Sequence, residues 1–358
     1  MRHNVSPIVA SDVLEILDRD LPWSQLFGAR VLVTGAGGML GSYVLRTLLG
    51  LNDTRMAGIE VVALVRNEQK FLMVLPDVIA RNDVSLVVQD VRTPLTLDGP
   101  IDYVIHGASP ARPALHGIDP VGTITGILLG SVNLLELCVV KGSRRFVLFS
   151  SAEIYGKQPR GASLASEESY GGIDTLSPRS CYSEGKRAAE TLSAAYQVQH
   201  GVRSTVARFG HVYGPGMNLD DGRVQADFAA DVVAGRNIVL RSSGASMRTY
   251  TYVADAIAGM FYALLLGRES AYNIADERGL LSIRQLAARF AQVRPERGLR
   301  VVFAREADDR AFSPLTVQGL NSSRLASLGW RPVVDLPTGL DRMVAHLELV
   351  SGPRGTGS

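Results

Sequence analysis

The sequence predicts an α/β chain built on a doubly wound parallel sheet, with a smaller C-terminal lobe. Three observations carry that prediction. From Arg30 onward, apolar runs alternate with helical stretches: VLVTG (31–35), VVALV (61–65), SLVVQ (85–89), YVIHGA (103–108) and RFVLFS (145–150). Successive residues in these runs are apolar, so both strand faces are buried, as in a parallel sheet covered by helices. The first run also passes directly into a glycine-rich turn and then a helix. With 358 residues, 46% hydrophobic and 20% charged, the chain suits one large globular unit with a lesser lobe rather than a disordered or fibrous protein.

Residues 1–29 read as an N-terminal helical extension, an amphipathic helix with Asp12 and Glu15 spaced for a capping box before Ile16 and Leu17. Residues 30–208 carry the strand–helix alternation. Past Tyr182 the pattern loosens into Gly- and Pro-bearing loops such as YGPGMNLDDGR (213–223). Residues 209–350 are therefore assigned mainly to the smaller lobe over the carboxyl edge of the sheet, with some segments returning to the first domain. The tail SGPRGTGS (351–358) has nothing to bury and is expected to be disordered.

Lysine and arginine total 37 against 35 acidic residues, so no whole-chain field attracts nucleic acid or anionic lipid, and any anion site is local. No apolar run is read as reaching the roughly 20 residues needed to span a bilayer, and no membrane is expected. The charged N-terminus lacks a signal-peptide core, which points to the cytoplasm. Cys138 and Cys181 have no metal-ligand spacing, so no metal is expected and both read as core residues.

In VLVTGAGGMLGS, Gly35, Gly38 and Gly41 follow a buried strand with G-x-x-G-x-x-G spacing, and Met39 and Leu40 open the next helix. Glycine there lets the backbone approach a pyrophosphate, which the new helix meets with free N–H groups and the positive end of its dipole. Val91, beyond the third run, and Ala108, at the end of the fourth, are placed along the same dinucleotide cleft. The second strand ends in Arg66, where an NAD site usually carries an acid. Arg66 either holds a 2′-phosphate and favours NADP, or is a solvated cation beside NAD. Asp90 is either a contact to the adenine edge or a strand-end cap on the following turn.

Tyr182 and Lys186 stand four apart in CYSEGKRAAETL and share a helix face, which brings an ammonium toward a phenol of ordinary pKa near 10. Such a phenol serves as a general base. The strand RFVLFSS delivers Ser150 and Ser151 to the carboxyl edge of the sheet about 30 residues earlier, so hydroxyls and lysine converge beside the expected nicotinamide.

The stretches TGAGGMLGS, HGASPARP, FSSAEIYG, PRSCYSEGKRAAETL and YGPGMNLDDGRV together resemble the extended short-chain dehydrogenases/reductases of the sugar-nucleotide epimerase/dehydratase/decarboxylase group, over about residues 30–345. The last two most resemble UDP-glucuronate decarboxylases (UDP-xylose synthases). The resemblance implies a Rossmann-type sheet, bound NAD, a nucleotide-sugar substrate and a homodimer formed through a four-helix interface from 123–140 and the Tyr182 helix. It implies that Ser151 binds the sugar C4 oxygen, Tyr182 is the base, Lys186 holds the nicotinamide ribose and lowers the tyrosine pKa, and Glu153 is a further catalytic carboxylate. Arg223 and Arg248 match diphosphate-binding positions, and Ser109, Arg112, Arg179 and His211 complete the implied substrate site. Two departures matter: Ala152 stands where dehydratases keep an aspartic acid, and His211 replaces a common asparagine. The resemblance thus favours decarboxylation of a nucleotide hexuronic acid to a pentose or 4-keto-pentose nucleotide. A 4-epimerase is next, then a 4,6-dehydratase. The reading from another class is a non-catalytic nucleotide-binding sensor.

Overall fold

The computed structural model describes residues 6–113, 115–158, 164–219, 222–304 and 317–351. Its first half contains α1 (Pro7–Leu17), β1 (Arg30–Thr34), α2 (Met39–Arg55), β2 (Glu60–Val65), α3 (Glu68–Val74) and β3 (Val84–Val88). Then come β4 (Tyr103–His106), α4 (Leu115–Ile118), α5 (Pro120–Lys141), β5 (Arg145–Ser151), α6 (Cys181–His200) and β6 (Ser204–Phe209). The second half holds β7 (His211–Tyr213), α7 (Val224–Val233), β8 (Ile238–Leu240), β9 (Met247–Tyr252), α8 (Val253–Leu266) and β10 (Ala271–Ile274). It closes with β11 (Leu280–Ser282), α9 (Ile283–Ala291), β12 (Val301–Phe303), β13 (Val317–Gln318), α10 (Ser323–Ala326) and α11 (Leu336–Ser351).

The five apolar runs are all strands of one parallel seven-stranded sheet, in the order β10-β6-β5-β4-β1-β2-β3. Val31, Leu32 and Val33 have no exposed surface, because helices cover both faces of the sheet. Strand order reverses between β1 and β4, and at such a switch point the loops leaving the carboxyl ends diverge and open a crevice. β10 joins the large sheet beside β6, while β9 organises a smaller sheet with β7, β11 and β13.

Three expectations need correction. Asp12 and Glu15 do not cap a helix start: α1 begins at Pro7, and Asp12 is fully buried in its middle, accepting from the Tyr43 and Tyr252 hydroxyls. The apolar run of α5 is 22 residues, long and apolar enough to cross a membrane by length and composition. Its buried side, including Gly126, Ile127, Gly130, Leu134 and Leu135, lies in the protein core, and α6 packs along it. Finally, Ser351 ends α11, whereas 352–358 lie outside the described residues.

Candidate active site

The cleft at the switch point is made by glycine. Gly35 leaves β1 with φ 70°, and a Cβ there would lie 2.8 Å from the Ala108 nitrogen. A Cβ on Gly41 would fall 2.2 Å from the Gly35 carbonyl oxygen, so α2 packs against the turn only because that position is bare. The Thr34 hydroxyl accepts from the Ala108 N–H at 3.1 Å and pairs with His106 Nδ1 at 2.8 Å, tying the ends of β1 and β4 together. The resulting cleft of about 440 Å³ is lined by Gly35, Gly38, Arg66, Asp90, Val91 and Ala108, among others. Met39 and Leu40 form the first turn of α2, whose N-terminus follows Gly38. A bare cradle facing a helix N-terminus fits a dinucleotide pyrophosphate. Of the two readings of Asp90, the cap is realised: its carboxylate accepts from Arg92 N, Nε and Nη2 at 2.9, 3.0 and 2.9 Å, and Arg92 holds its pKa below the ordinary value.

Further along the carboxyl edge, Ser151 ends β5 and caps the short 3-10 turn Ala152–Tyr155, accepting from the Glu153 N–H at 3.2 Å. The first turns of α6 present Tyr182 and Lys186, both buried. Ser151 and Ser109 hydrogen-bond the Tyr182 phenol, and with Arg223 they favour the phenolate. Burial and then the Glu153 charge outweigh them and push the phenol up to about 12. Lys186 is not among the groups that shift the phenol here. Lys186 Nζ lies 5.8 Å from the Tyr182 ring centroid and donates to the Phe149 carbonyl at 2.6 Å, and burial brings the lysine itself down to about 8. Ser150 also departs from expectation: its hydroxyl donates to Glu190 at 2.5 Å, and Glu190 in turn pairs with Arg208, so of the two serines that end β5 it is Ser151 that faces the phenol.

Around Glu153 the structure gathers Arg179, Arg223 and Arg248, each favouring its ionised form, while burial acts first and raises its pKa. Arg179 and Arg223 are steadied by carbonyls, donating to Pro113 O at 3.1 Å and Ala111 O at 2.8 Å. Arg248, on β9, is 8% exposed with a buried Nη1 that has no partner among the described residues, and His211 Nδ1 and the Tyr250 hydroxyl are unpartnered in the same way. Buried donors without partners are costly and mark where a ligand completes the bonding. His211 is held well below its ordinary pKa by burial, then Arg248 and Arg223, and stays neutral. Arg112 is exposed on the loop after β4 and is not drawn into this group.

One site residue escaped the sequence reading. His116 stacks on Tyr182 with centroids 4.7 Å apart and planes 12° from parallel. Its Nε2 meets the Pro110 carbonyl at 3.2 Å, and its own carbonyl accepts from the Cys181 thiol. The connection after β4, which contains α4, thereby clamps the start of α6. A lone histidine in a helix of one turn has no periodic signal to betray such a role. His116→Ala is expected to lower kcat roughly tenfold, the scale of one lost aromatic pair, while His116→Phe keeps most activity. Steady-state turnover of the two variants, with matching thermal melts, checks this; equal losses in both would refute the stacking role.

A glycine-cradled cleft beside a Ser/Tyr/Lys set, its tyrosine and lysine buried, on a doubly wound sheet defines a short-chain dehydrogenase/reductase site. The chain belongs to the NAD dependent epimerase/dehydratase family, whose model matches residues 31–275. It is similar to UDP-glucuronic acid decarboxylase 6 of Arabidopsis thaliana, with 31% identity over 329 residues and 90% of each chain covered. UDP-glucuronic acid decarboxylase 1 of Xenopus tropicalis is 31% identical over 326 residues, covering 88% of this chain and 72% of that one. Among solved structures, the UDP-glucose 4-epimerase of Thermus thermophilus in complex with NAD superposes with a TM-score of 0.69 at 27% identity, covering 88% and 98% of the two chains.

Proposed function

We propose that this chain binds NAD and decarboxylates a nucleotide hexuronic acid of the UDP-glucuronate type. The observation that carries the reading is that Arg179, Arg223 and Arg248 all lie within electrostatic reach of Glu153, which shares the site with Ser151 and Tyr182. Three guanidiniums gathered in one site, one of them with a buried unpartnered nitrogen, suit a substrate bearing a diphosphate and a sugar carboxylate. The relatives named as UDP-glucuronic acid decarboxylases support the same choice. Ala152, buried and without an acid, disfavours water elimination.

In this reading Tyr182 takes the proton of the C4 hydroxyl, and Ser151 orients that oxygen by a hydrogen bond. Bound nicotinamide supplies the acceptor for the C4 hydrogen. With C4 a ketone, the C5 carboxylate belongs to a β-keto acid, whose C–C bond breaks to release carbon dioxide. The electron pair passes to the ketone oxygen as an enolate, which the Ser151 hydroxyl and the now protonated Tyr182 stabilise by hydrogen bonding. Glu153 is assigned to positioning the ring or the proton donor for C5. Residues 30–208 are the cofactor-binding part and 209–350 mainly the substrate-binding part. The exposed Val121, Leu129 and Val140 of α5 and Val198 of α6 support a homodimer through these helices, which light scattering tests. The buried free thiols Cys138 and Cys181 suit a reducing cytoplasm.

Incubation of the purified chain with UDP-glucuronate should yield carbon dioxide and a nucleotide pentose or 4-keto pentose by mass spectrometry. An isomer of unchanged mass would establish 4-epimerisation instead, and loss of water a dehydratase. Absence of turnover with every nucleotide uronic acid tried would remove the decarboxylase reading.

A further inference from the structure

We infer that the adenosine end of the cleft is built to receive a 2′-phosphate, so that the chain binds NADP at least as tightly as NAD. The inference rests on the reading that the glycine cleft holds a dinucleotide. The end of β2 faces that cleft, and the side chain there decides what the adenosine ribose meets. A site selective for the free ribose places a carboxylate at this point to accept from both hydroxyls. This chain places Arg66 there, exposed and, among the described residues, in no salt bridge.

The neighbours do not restore a carboxylate. Asn67 spends its side-chain oxygen capping α3, accepting from the Lys70 N–H at 2.8 Å. Glu68 is exposed in the first turn of α3, next to the exposed Lys70. Asp90, which lines the same cleft, is turned onto its own Arg92, whose guanidinium and backbone N–H donate to its carboxylate oxygens. Arg66 adds only a weaker attraction to Asp90 and remains the cation without a dedicated counter-ion. A phosphate at the ribose 2′ position gives it one, with geometry suited to a guanidinium fork, and Arg92 stands on the same cleft wall as a second positive charge.

Calorimetric titration of the nucleotide-free, full-length chain with NADP and with NAD tests this without any turnover. NADP is expected to bind with an equal or lower Kd than NAD. Arg66→Asp should weaken NADP by about tenfold or more, while NAD holds or gains affinity. Arg66 is exposed, so the variant should melt with the wild type. NAD binding at least about tenfold tighter than NADP in the wild type, or a ratio unmoved by Arg66→Asp, would overturn the inference and leave the dinucleotide reading intact. Failure of both nucleotides to bind would overturn both.

Discussion

Tyr182→Phe should lose about a thousandfold in turnover while folding and cofactor affinity stay close to wild type, because only the proton-carrying oxygen is removed. That oxygen is where Ser151 and Ser109 converge, with Glu153 and Arg223 in electrostatic reach. The ring remains to stack on His116, so the loss reports chemistry rather than packing. The pH profile carries a second signature. The resting site holds a phenol pushed up to about 12 beside a lysine lowered to about 8. The working pair, ionised tyrosine with charged lysine, differs from the resting pair near neutral pH by the phenolic proton alone. Its population grows with pH below about 8 and levels off above, where further loss of the phenolic proton is matched by loss of the lysine charge. Wild-type kcat/KM should therefore rise with pH to near 8 and then flatten, and the residual activity of Tyr182→Phe should lack the rise. A variant retaining more than about a tenth of wild-type turnover would remove Tyr182 from the role of base.

The sheet and the catalytic strand end were legible because burial on both faces leaves a mark in the sequence: five near-continuous apolar runs became five strands. Gly35 and Gly41 were legible for a related reason, since close backbone contacts leave no room for a Cβ. Side-chain partnerships across distant segments leave no such mark. Nothing near Ser150 in sequence says that Glu190 will take its hydroxyl, and nothing near His116 says that it will lie on Tyr182. The spacing of Tyr182 and Lys186 was legible as one helix face, but not that the Phe149 carbonyl would take the ammonium or that burial would dominate the phenol. Spacing fixes who is near whom along a helix. It does not fix the solvent exposure that sets a pKa.

Asp12→Ala should cost about 3–5 kcal/mol of stability, the range for removing one partner of a buried charged pair. Asp12 is fully buried in α1, and three elements far apart in sequence converge on it. Tyr43 of α2 donates to Oδ2 at 2.6 Å, Tyr252 at the end of β9 donates to the same oxygen at 2.8 Å, and Arg342 of α11 reaches Oδ1 at 3.0 Å. Alanine strands two hydroxyls and a guanidinium, although Arg342 keeps Glu15 at 2.7 Å. Burial raises the carboxyl pKa against the pull of these donors. With the folded value raised, the stability linked to proton uptake is fully present below the ordinary 3.8 and is lost as pH rises through the folded-state value. The ionised carboxylate is therefore held by its donors at a desolvation cost, and Asp12→Asn, which is neutral and keeps one acceptor, should cost markedly less than alanine. The consequence reaches the site, because β9 that ends at Tyr252 also carries Arg248. Asp12→Ala should thus raise KM for the nucleotide sugar more than it lowers kcat, whereas Asp12→Asn leaves both near wild type. Guanidinium midpoints at unchanged m, together with the two kinetic constants, measure all of this. A destabilisation by alanine below about 1 kcal/mol would show that α1 merely rests on the two lobes and does not fasten them.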